Sequence, residues 1–411
     1  MSTKGRVNLK MWRVWGMAVC SVLMSAGCSH STKSDQTIYA GKLVNYALVD
    51  EFTTKDVADV IRNDFSGTGI DVSKMIATST AVRAYSVAYC TTDVDGALIV
   101  VSGLAAFPHP ADGEYPVVQY HHGTQFNNRD VPSYPDRSPE AFGCMAVFAG
   151  HGYITSLPDY IGQGRSTTRH PYLHAASEAS SSADMLKAVK ELCGRLSVKT
   201  NSKLFILGHS QGGHATMALQ RHLETGSAAK PFHLTASAPM AGPYDLPKAW
   251  DSWFADPPGC SPLAVHLILA YQNIYDFTDA LSDIFLTPYD SRVLNIDDGS
   301  HDGSEMVQML PTTLEGLLQP DFINQVKAKV HPFYAAMENN VINNFAPVSP
   351  TRLYHAKDDE LVPYSCSVDS CKQMQALGAV DIEVVDVGSG YSHGGSFVPS
   401  VLRAKFWFDT F

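Results

Sequence analysis

One short stretch, LFILGHSQGGHA from Leu204 to Ala215, limits the folds open to this chain more than any other. Its apolar start predicts a buried strand, and the residues after Ser210 have the apolar spacing of a helix. A serine at a sharp strand-to-helix turn has strained backbone angles, so its neighbours must be small for the chain to turn back. Gly208, Gly212 and Gly213 meet that need. The stretch therefore predicts a nucleophile elbow, although the short G-x-S-x-G pattern alone also arises by chance.

Short apolar runs alternate with helical patterns along most of the chain. The runs are GALIVVSGLAAFP, EYPVVQYHHG, YITSLPDYIG, KLFILGHS, LTASAPMAG, RLYHAKDD and DIEVVDVGS. Several are nearly continuous and β-branched, which is typical of parallel strands buried on both faces. SSADMLKAVKELCGRL, GGHATMALQRHLE and the closing VPSVLRAKFWFDTF predict covering helices. The alternation predicts an α/β fold with a mostly parallel, twisted sheet covered by helices.

The alternation stops between residues 245 and 345, where the pattern is largely helical. Because the strand pattern resumes at Arg352, we expect a helical cap inserted into one core rather than a separate domain. The core then comprises residues 51–244 and 346–411. The aromatic residues of the insertion are predicted either to form the core of the cap or to line an acyl pocket. They are Trp250, Trp253, Phe254, Tyr271, Tyr275 and Phe277.

A serine hydroxyl is a poor nucleophile at neutral pH, so it needs a base, and the base needs an orienting carboxylate. After an elbow of this kind, the acid and then the histidine follow in chain order at the ends of later strands. Asp358 and Asp359 follow the run RLYHAK, and His393 follows DIEVVDV in a loop rich in glycine and serine. The order predicts a catalytic triad of Ser210, His393 and one of the two aspartates.

Acyl transfer also needs two N–H donors that face the oxyanion. The first is the backbone N–H of Gln211, directly after the serine, so truncating this side chain should cost little. The second is expected in the loop after the strand PVVQY, from the N–H of Thr124 or of Gln125. His121 and His122 could instead bind a metal ion, but neighbouring strand residues point to opposite faces.

The first 28 residues have the features of an export signal. Basic residues precede the apolar run Val14–Ala26, which is shorter than the roughly 20 residues that span a membrane. The ending SAGC resembles a bacterial lipobox, which implies lipid on Cys28 and a membrane tether through a linker of residues 29–50. We therefore expect a lipoprotein of the cell envelope, in the outer membrane or periplasm, with ordinary cleavage and secretion as the alternative.

Charge and cysteine content also limit the partners and the compartment. The net charge of −11 and the lack of a basic run argue against nucleic acid as a partner. An exported chain meets an oxidising compartment, so the cysteines after residue 28 predict disulfides, with Cys366 and Cys371 close enough for a local pair. These cysteines are Cys90, Cys144, Cys193, Cys260, Cys366 and Cys371.

Five motifs occur in one order: YHHGTQ, LPDYIGQGRS with HPYLHA, GHSQGGHA, APMAGPYDL and DDELVP. Together they resemble the α/β-hydrolase superfamily, in particular the bacterial esterases and secreted lipases related to the fungal secretory-lipase group. The resemblance extends from about Gly96 to the C-terminus. It implies that a serine hydrolyses a small-molecule or lipid ester through an acyl-enzyme, without a metal or organic cofactor. The D-x-x-V-P loop of these hydrolases selects Asp359 over Asp358 as the triad acid.

Three interpretations remain at this point. Tyr160, in the loop PDYIGQGRS, is a candidate contact to substrate, because this loop commonly forms a wall of the site. A peptidase of the prolyl or aminopeptidase kind would use the same triad. An inert protein of the same fold would only bind a ligand or partner.

Overall fold

The sheet predicted from the alternating runs is present in the computed structural model, which describes residues 38–226, 232–255 and 258–411. Residues 39–411 pack as one unit. The strands are β1 (Leu43–Phe52), β2 (Ala81–Thr92), β3 (Leu98–His109), β4 (Glu114–His121), β5 (Ile154–Pro158), β6 (Lys199–His209), β7 (His233–Met240), β8 (Thr351–His355) and β9 (Ile382–Asp386). Their spatial order is β1-β2-β3-β5-β4-β6-β7-β8-β9. The pairs β1–β2, β2–β3 and β3–β5 are antiparallel. The pairs β5–β4, β4–β6, β6–β7, β7–β8 and β8–β9 are parallel.

The helices cover both faces of this sheet, as predicted. They are α1 (Thr54–Val60), α2 (Ser73–Thr78), α3 (Pro139–Phe148), α4 (Ala175–Leu196), α5 (Gln211–Thr225), α6 (Leu246–Ser252), α7 (Cys260–Tyr275), α8 (Val293–Ile296), α9 (Gly303–Met309), α10 (Pro320–Lys327), α11 (Pro332–Asn339), α12 (Tyr364–Ala376) and α13 (Phe397–Phe408). The three covering helices predicted from the sequence are α4, α5 and α13.

Alternate residues of β6 show how the two faces are filled. Phe205 and Leu207 pack in the hydrophobic cluster that contains residues of α1, α3 and α13. Leu204 and Ile206 pack on the other face with residues of α4 and α5. Successive strand side chains point to opposite faces, so a strand covered on both sides must be apolar throughout. This is why the run before Ser210 shows no polar alternation.

Several polar residues gather at one edge of the sheet because parallel strands end there together. Strand β4 ends at His121, β6 at His209, β8 at His355 and β9 at Asp386. In open α/β sheets, ligands bind in the crevice outside the carboxyl ends of the strands. This edge is therefore the place to look for a functional site.

The chain between β7 and β8 contains the six helices α6 to α11 within its described residues. They share a hydrophobic cluster in which Trp250, Trp253 and Tyr271 are buried. Phe254, Tyr275 and Phe277 pack partly buried against it. These contacts favour the prediction that the aromatic residues form the core of this helical segment.

The N-terminal predictions fall largely outside the described residues. The signal segment 1–28, including Cys28, lies outside them, as does most of the linker predicted for residues 29–50. Within that range, residues from Leu43 onwards form β1 and pair with β2. Among the described residues, the helices are too short or too polar to cross a membrane.

The prediction of disulfides is corrected by the structure. The six cysteines are buried thiols that are distributed over different parts of the molecule. Cys144, Cys193 and Cys371, for example, pack in three separate hydrophobic clusters. Cys366 and Cys371 both lie on α12. Five residues along a helix turn through about 140° beyond a full circle, so these two side chains point away from one another.

Candidate active site

Ser210 occupies the turn between β6 and α5 that the sequence predicts. Its backbone angles are φ 61° and ψ −120°, a conformation that costs a non-glycine residue about 1–3 kcal/mol. The surrounding backbone holds it there. The N–H of Ser210 donates to the carbonyl of Met240 at 2.9 Å, and its own carbonyl accepts from the N–H of Gly213 at 2.9 Å.

The glycines around Ser210 allow neighbouring segments to approach closely. A Cβ atom on Gly212 would lie 1.9 Å from the carbonyl oxygen of His121 at the end of β4. On Gly208 it would lie 2.4 Å from the carbonyl oxygen of Gly212. The elbow therefore packs against β4 at a distance that excludes a side chain.

Two side chains from later strand ends join Ser210 in a chain of hydrogen bonds. Nε2 of His393 lies 2.8 Å from Oγ of Ser210, and Nδ1 of His393 lies 2.7 Å from Oδ2 of Asp359. Oδ1 of Asp359 accepts from the N–H groups of Leu361 and Val362 at 3.0 and 2.8 Å. The structure thus brings together the three side chains that the sequence predicts as a triad.

Asp358, the second choice for the acid, points elsewhere. Its Oδ2 accepts from the N–H of Gly390 at 2.6 Å, and the residue is exposed. Asp359, by contrast, has a fully buried side chain. Consecutive residues after a strand point in different directions, and only the second of this pair faces His393.

The charge on Asp359 is strongly favoured by its hydrogen bonds. Burial raises the pKa of this carboxyl, but the hydrogen bonds from His355 and His393 outweigh burial and hold its pKa well below the usual range. The neighbouring His209 ring lies 4.9 Å from that of His393, and burial lowers the pKa of His209 to about 3. The carboxylate of Asp359 therefore stays negatively charged next to His393, and the nearby His209 ring is neutral.

The loop after β4, predicted to supply an oxyanion donor, is held next to the elbow. The N–H of Gly123 donates to Oε2 of Glu140 at 2.9 Å, and a Cβ atom on Gly123 would lie 3.5 Å from the carbonyl oxygen of His209. The hydroxyl of Thr124 lies 2.8 Å from that of Tyr172. The Gln125 carbonyl accepts from Nε2 of Gln163 at 2.6 Å. The backbone at Thr124 thus belongs to a well-anchored segment beside Ser210.

His121 and His122, at the end of β4 and the start of this loop, both bond to other protein groups. Nδ1 of His121 lies 2.9 Å from Oγ1 of Thr216, and burial lowers the pKa of His121 to about 3. Nδ1 of His122 lies 2.7 Å from the carbonyl oxygen of Gly123. Among the residues that the structure describes, no three histidine, cysteine, aspartate or glutamate side chains form a group suited to a metal ion.

Tyr160 lies in the interior and does not form an open wall of the site. Its side chain is 1% exposed, its hydroxyl donates to the carbonyl of His122 at 3.1 Å, and its ring lies 4.4 Å from the His122 ring. Its backbone has φ 70°. The side chain of Tyr160 therefore supports the loop that carries Thr124, and its contact to substrate stays a prediction.

The side chain of Gln211 has polar contacts that the sequence did not predict. It is 1% exposed, and its Nε2 lies 2.8 Å from Nε2 of His170 and 3.2 Å from Oε1 of Glu178. Oε2 of Glu178 lies 2.6 Å from Nδ1 of His214. The only sequence signal was a glutamate among the small residues on the inner face of α4. The expectation that truncating Gln211 costs little is therefore not supported by its surroundings.

The parallel sheet, the strained serine after β6 and the acid and histidine after later strands define an α/β hydrolase. The chain belongs to the alpha/beta hydrolase family, whose family model matches residues 84–398.

Solved structures with the same architecture include several hydrolases. The rice cell wall degrading esterase LipA from Xanthomonas oryzae, in a ligand-bound form, has a TM-score of 0.81 at 26% identity, over 90% of this chain and 98% of LipA. A Legionella pneumophila protein proposed to be a hydrolase has a TM-score of 0.81 at 26% identity, over 90% of this chain and 97% of that one. Candida antarctica lipase A, in its closed state, shares the fold with a TM-score of 0.62 at 15% identity, over 87% and 78% of the two chains. Comparison with curated protein sequences gives no match.

Proposed function

We propose that this α/β hydrolase is a serine hydrolase that cleaves carboxylic esters through an acyl-enzyme. The observation that carries the proposal is the continuous chain of hydrogen bonds from Oγ of Ser210 through His393 to Asp359. The similarity to the esterase LipA of Xanthomonas oryzae supports an ester as the substrate class.

In the proposed first half-reaction, Oγ of Ser210 attacks the ester carbonyl carbon while Nε2 of His393 takes its proton. Asp359 holds the imidazole in the tautomer with hydrogen on Nδ1 and stabilises the imidazolium. The carbonyl oxygen becomes negative and accepts hydrogen bonds from the N–H groups of Gln211 and Thr124. Gln211 is the first residue of α5, and N–H groups in the first turn of a helix have no intrahelical acceptor.

Collapse of the tetrahedral intermediate then breaks the bond to the alcohol oxygen. The proton on Nε2 of His393 goes to that oxygen, and the alcohol leaves while the acyl group stays on Ser210. In the second half-reaction, water attacks the acyl carbon and His393 takes a proton from it. The acid is released when the proton returns to Oγ of Ser210.

The test combines a fluorophosphonate probe with two substrate series. The probe should label wild type and Ser180→Ala, which changes a half-buried serine of α4, but not Ser210→Ala. Ser210→Ala should lose a factor on the order of 10⁴ to 10⁶ in kcat on p-nitrophenyl esters. Turnover of aminoacyl amides in preference to esters would indicate a peptidase. No labelling of the folded wild type would indicate a protein that only binds.

A further inference from the structure

A second histidine contacts the same carboxylate oxygen of Asp359 that bonds to His393. His355 is the last residue of β8, and its side chain is fully buried. Its Nε2 lies 3.1 Å from Oδ2 of Asp359, the same oxygen that bonds to Nδ1 of His393. One carboxylate oxygen therefore lies between two imidazole rings.

The surroundings of His355 determine where its hydrogen lies. Nε2 faces two acceptors, Oδ2 of Asp359 and the carbonyl oxygen of Val362 at 3.0 Å. A carbonyl and a carboxylate cannot donate, so Nε2 must carry the hydrogen. Nδ1 lies 2.7 Å from Oγ of Ser367 on α12, whose hydroxyl can donate to it. The hydrogen on Nε2 of His355 therefore faces the acid.

His355 also fixes the loop on which the acid is carried. The N–H of Val362 donates to Oδ1 of Asp359, while the Val362 carbonyl accepts from His355. One buried ring thus contacts both the carboxylate of Asp359 and the backbone of the loop that follows it. A carboxylate held in this way keeps its orientation when the charge on its partner changes.

We propose that His355 is a positioning residue for the reaction, which holds Asp359 in the orientation that His393 requires. The inference rests on the proposed serine hydrolysis. His355 donates one hydrogen bond to Oδ2 and so withdraws part of its negative charge from His393. Without this donor, the carboxylate turns more freely and attracts a proton on His393 more strongly. The acid limb of kcat/KM, which reports protonation of the free base, then moves to higher pH.

Other titratable groups also face this cluster and are the same in all the variants below. They are His209, Glu360, Tyr364 and Cys366.

Two substitutions separate the two hydrogen bonds of the ring. In His355→Gln the amide lies where Nε2 was and can still donate to Asp359. In His355→Asn the shorter amide lies where Nδ1 was and reaches only Ser367. We expect His355→Asn to lose up to about a hundredfold in kcat, as a small misplacement of a reacting group can, with little change in KM. His355→Gln should retain most of kcat and the acid limb of wild type.

The measurement is kcat and KM on a p-nitrophenyl ester between pH 5 and 9, with kcat divided by the fraction of Ser210 that a fluorophosphonate labels. This division removes any unfolded protein from the comparison. His151→Gln serves as a control, because His151 lies before β5 at the opposite edge of the sheet. It should leave kcat per labelled site and the acid limb unchanged.

The outcomes distinguish this inference from the function on which it rests. If wild type hydrolyses esters and Ser210→Ala does not, but His355→Asn keeps the kcat and acid limb of wild type, the positioning role alone is wrong. If wild type neither reacts with the probe nor hydrolyses esters, both proposals fail. If His355→Gln folds and His355→Asn does not, the donor role is tested on His355→Gln alone. A kcat per labelled site and an acid limb equal to those of wild type support the donor role, and a loss of kcat per labelled site overturns it.

Discussion

Oδ2 of Asp359 accepts a hydrogen bond from Nδ1 of His393 at 2.7 Å, while the adjacent Asp358 bonds to the backbone of Gly390. The two aspartates are therefore a matched pair for testing the proposed acid. Asp359→Asn should lower kcat by about 10⁴, because the amide favours the wrong imidazole tautomer. Asp358→Asn should leave kcat near that of wild type. Steady-state kinetics on a p-nitrophenyl ester measures both, and equal losses would refute the assignment.

Gly212 and Gly194 give opposite predictions for the same substitution. In Gly212→Ala the new methyl group would meet the carbonyl oxygen of His121, so we expect little folded protein and no labelling of Ser210. Gly194 lies in α4 with no atom within 4 Å of the position of a Cβ. Gly194→Ala should raise the free energy of unfolding by about 0.5–1 kcal/mol. Urea unfolding and soluble yield measure the difference, and a fully active Gly212→Ala would contradict the close packing.

Truncation of Gln211 is predicted to lower stability. Gln211→Ala removes the partner of Nε2 of His170 and of Oε1 of Glu178, and leaving buried polar groups unpaired costs about 1–3 kcal/mol. Gln308→Ala, at an exposed position of α9, should change the free energy of unfolding little. Urea unfolding of the two variants provides the test. A Gln211→Ala variant as stable as wild type would show that water replaces these contacts.

Three buried histidines predict a loss of stability in acid. Burial lowers the pKa of His121, His170 and His209 from 6.5 to about 3. Below pH 6.5 the unfolded chain binds protons that the folded chain does not, so stability is present above pH 6.5 and is lost progressively towards pH 3. At pH 5 each histidine should cost roughly 2 kcal/mol relative to neutral pH.

The histidine prediction is tested by urea unfolding at pH 7.5 and pH 5. Between pH 7.5 and pH 5, His170→Gln should lose less free energy of unfolding than wild type. The difference should equal the contribution of one histidine. His170 is chosen because it is not one of the three residues proposed to react. An equal loss in the variant and in wild type would show that His170 is protonated in the folded state.

The sheet and the elbow could be predicted because their determinants are local. Leu204 to Gly213 contain the strand, the turn and the start of the helix in one continuous stretch. Ser210, Asp359 and His393 are far apart in sequence, but each follows a strand, and parallel strands end at one edge. The family resemblance was needed to choose Asp359 over Asp358.

The buried polar contacts could not be predicted, because their partners come from separate elements. Gln211 meets Glu178 33 residues away and His170 41 residues away. No spacing rule connects such positions. The burial of the Tyr160 side chain could not be predicted for a related reason, because its direction depends on a backbone with φ 70°. The prediction of disulfides was wrong because the number of cysteines indicates a compartment but does not give the distances between their sulfur atoms.

The helical segment between β7 and β8 connects two strands that pair with one another in the sheet. Met240 pairs with Tyr354, and the N–H of Ala241 donates to the carbonyl of Tyr354 at 2.9 Å. The two strands thus pair with one another whatever length of chain lies between them. A gene for such a protein can therefore lengthen, shorten or exchange this segment during evolution without displacing the strands that carry Ser210 and Asp359. Selection can therefore act on this segment separately from the chemistry of the sheet.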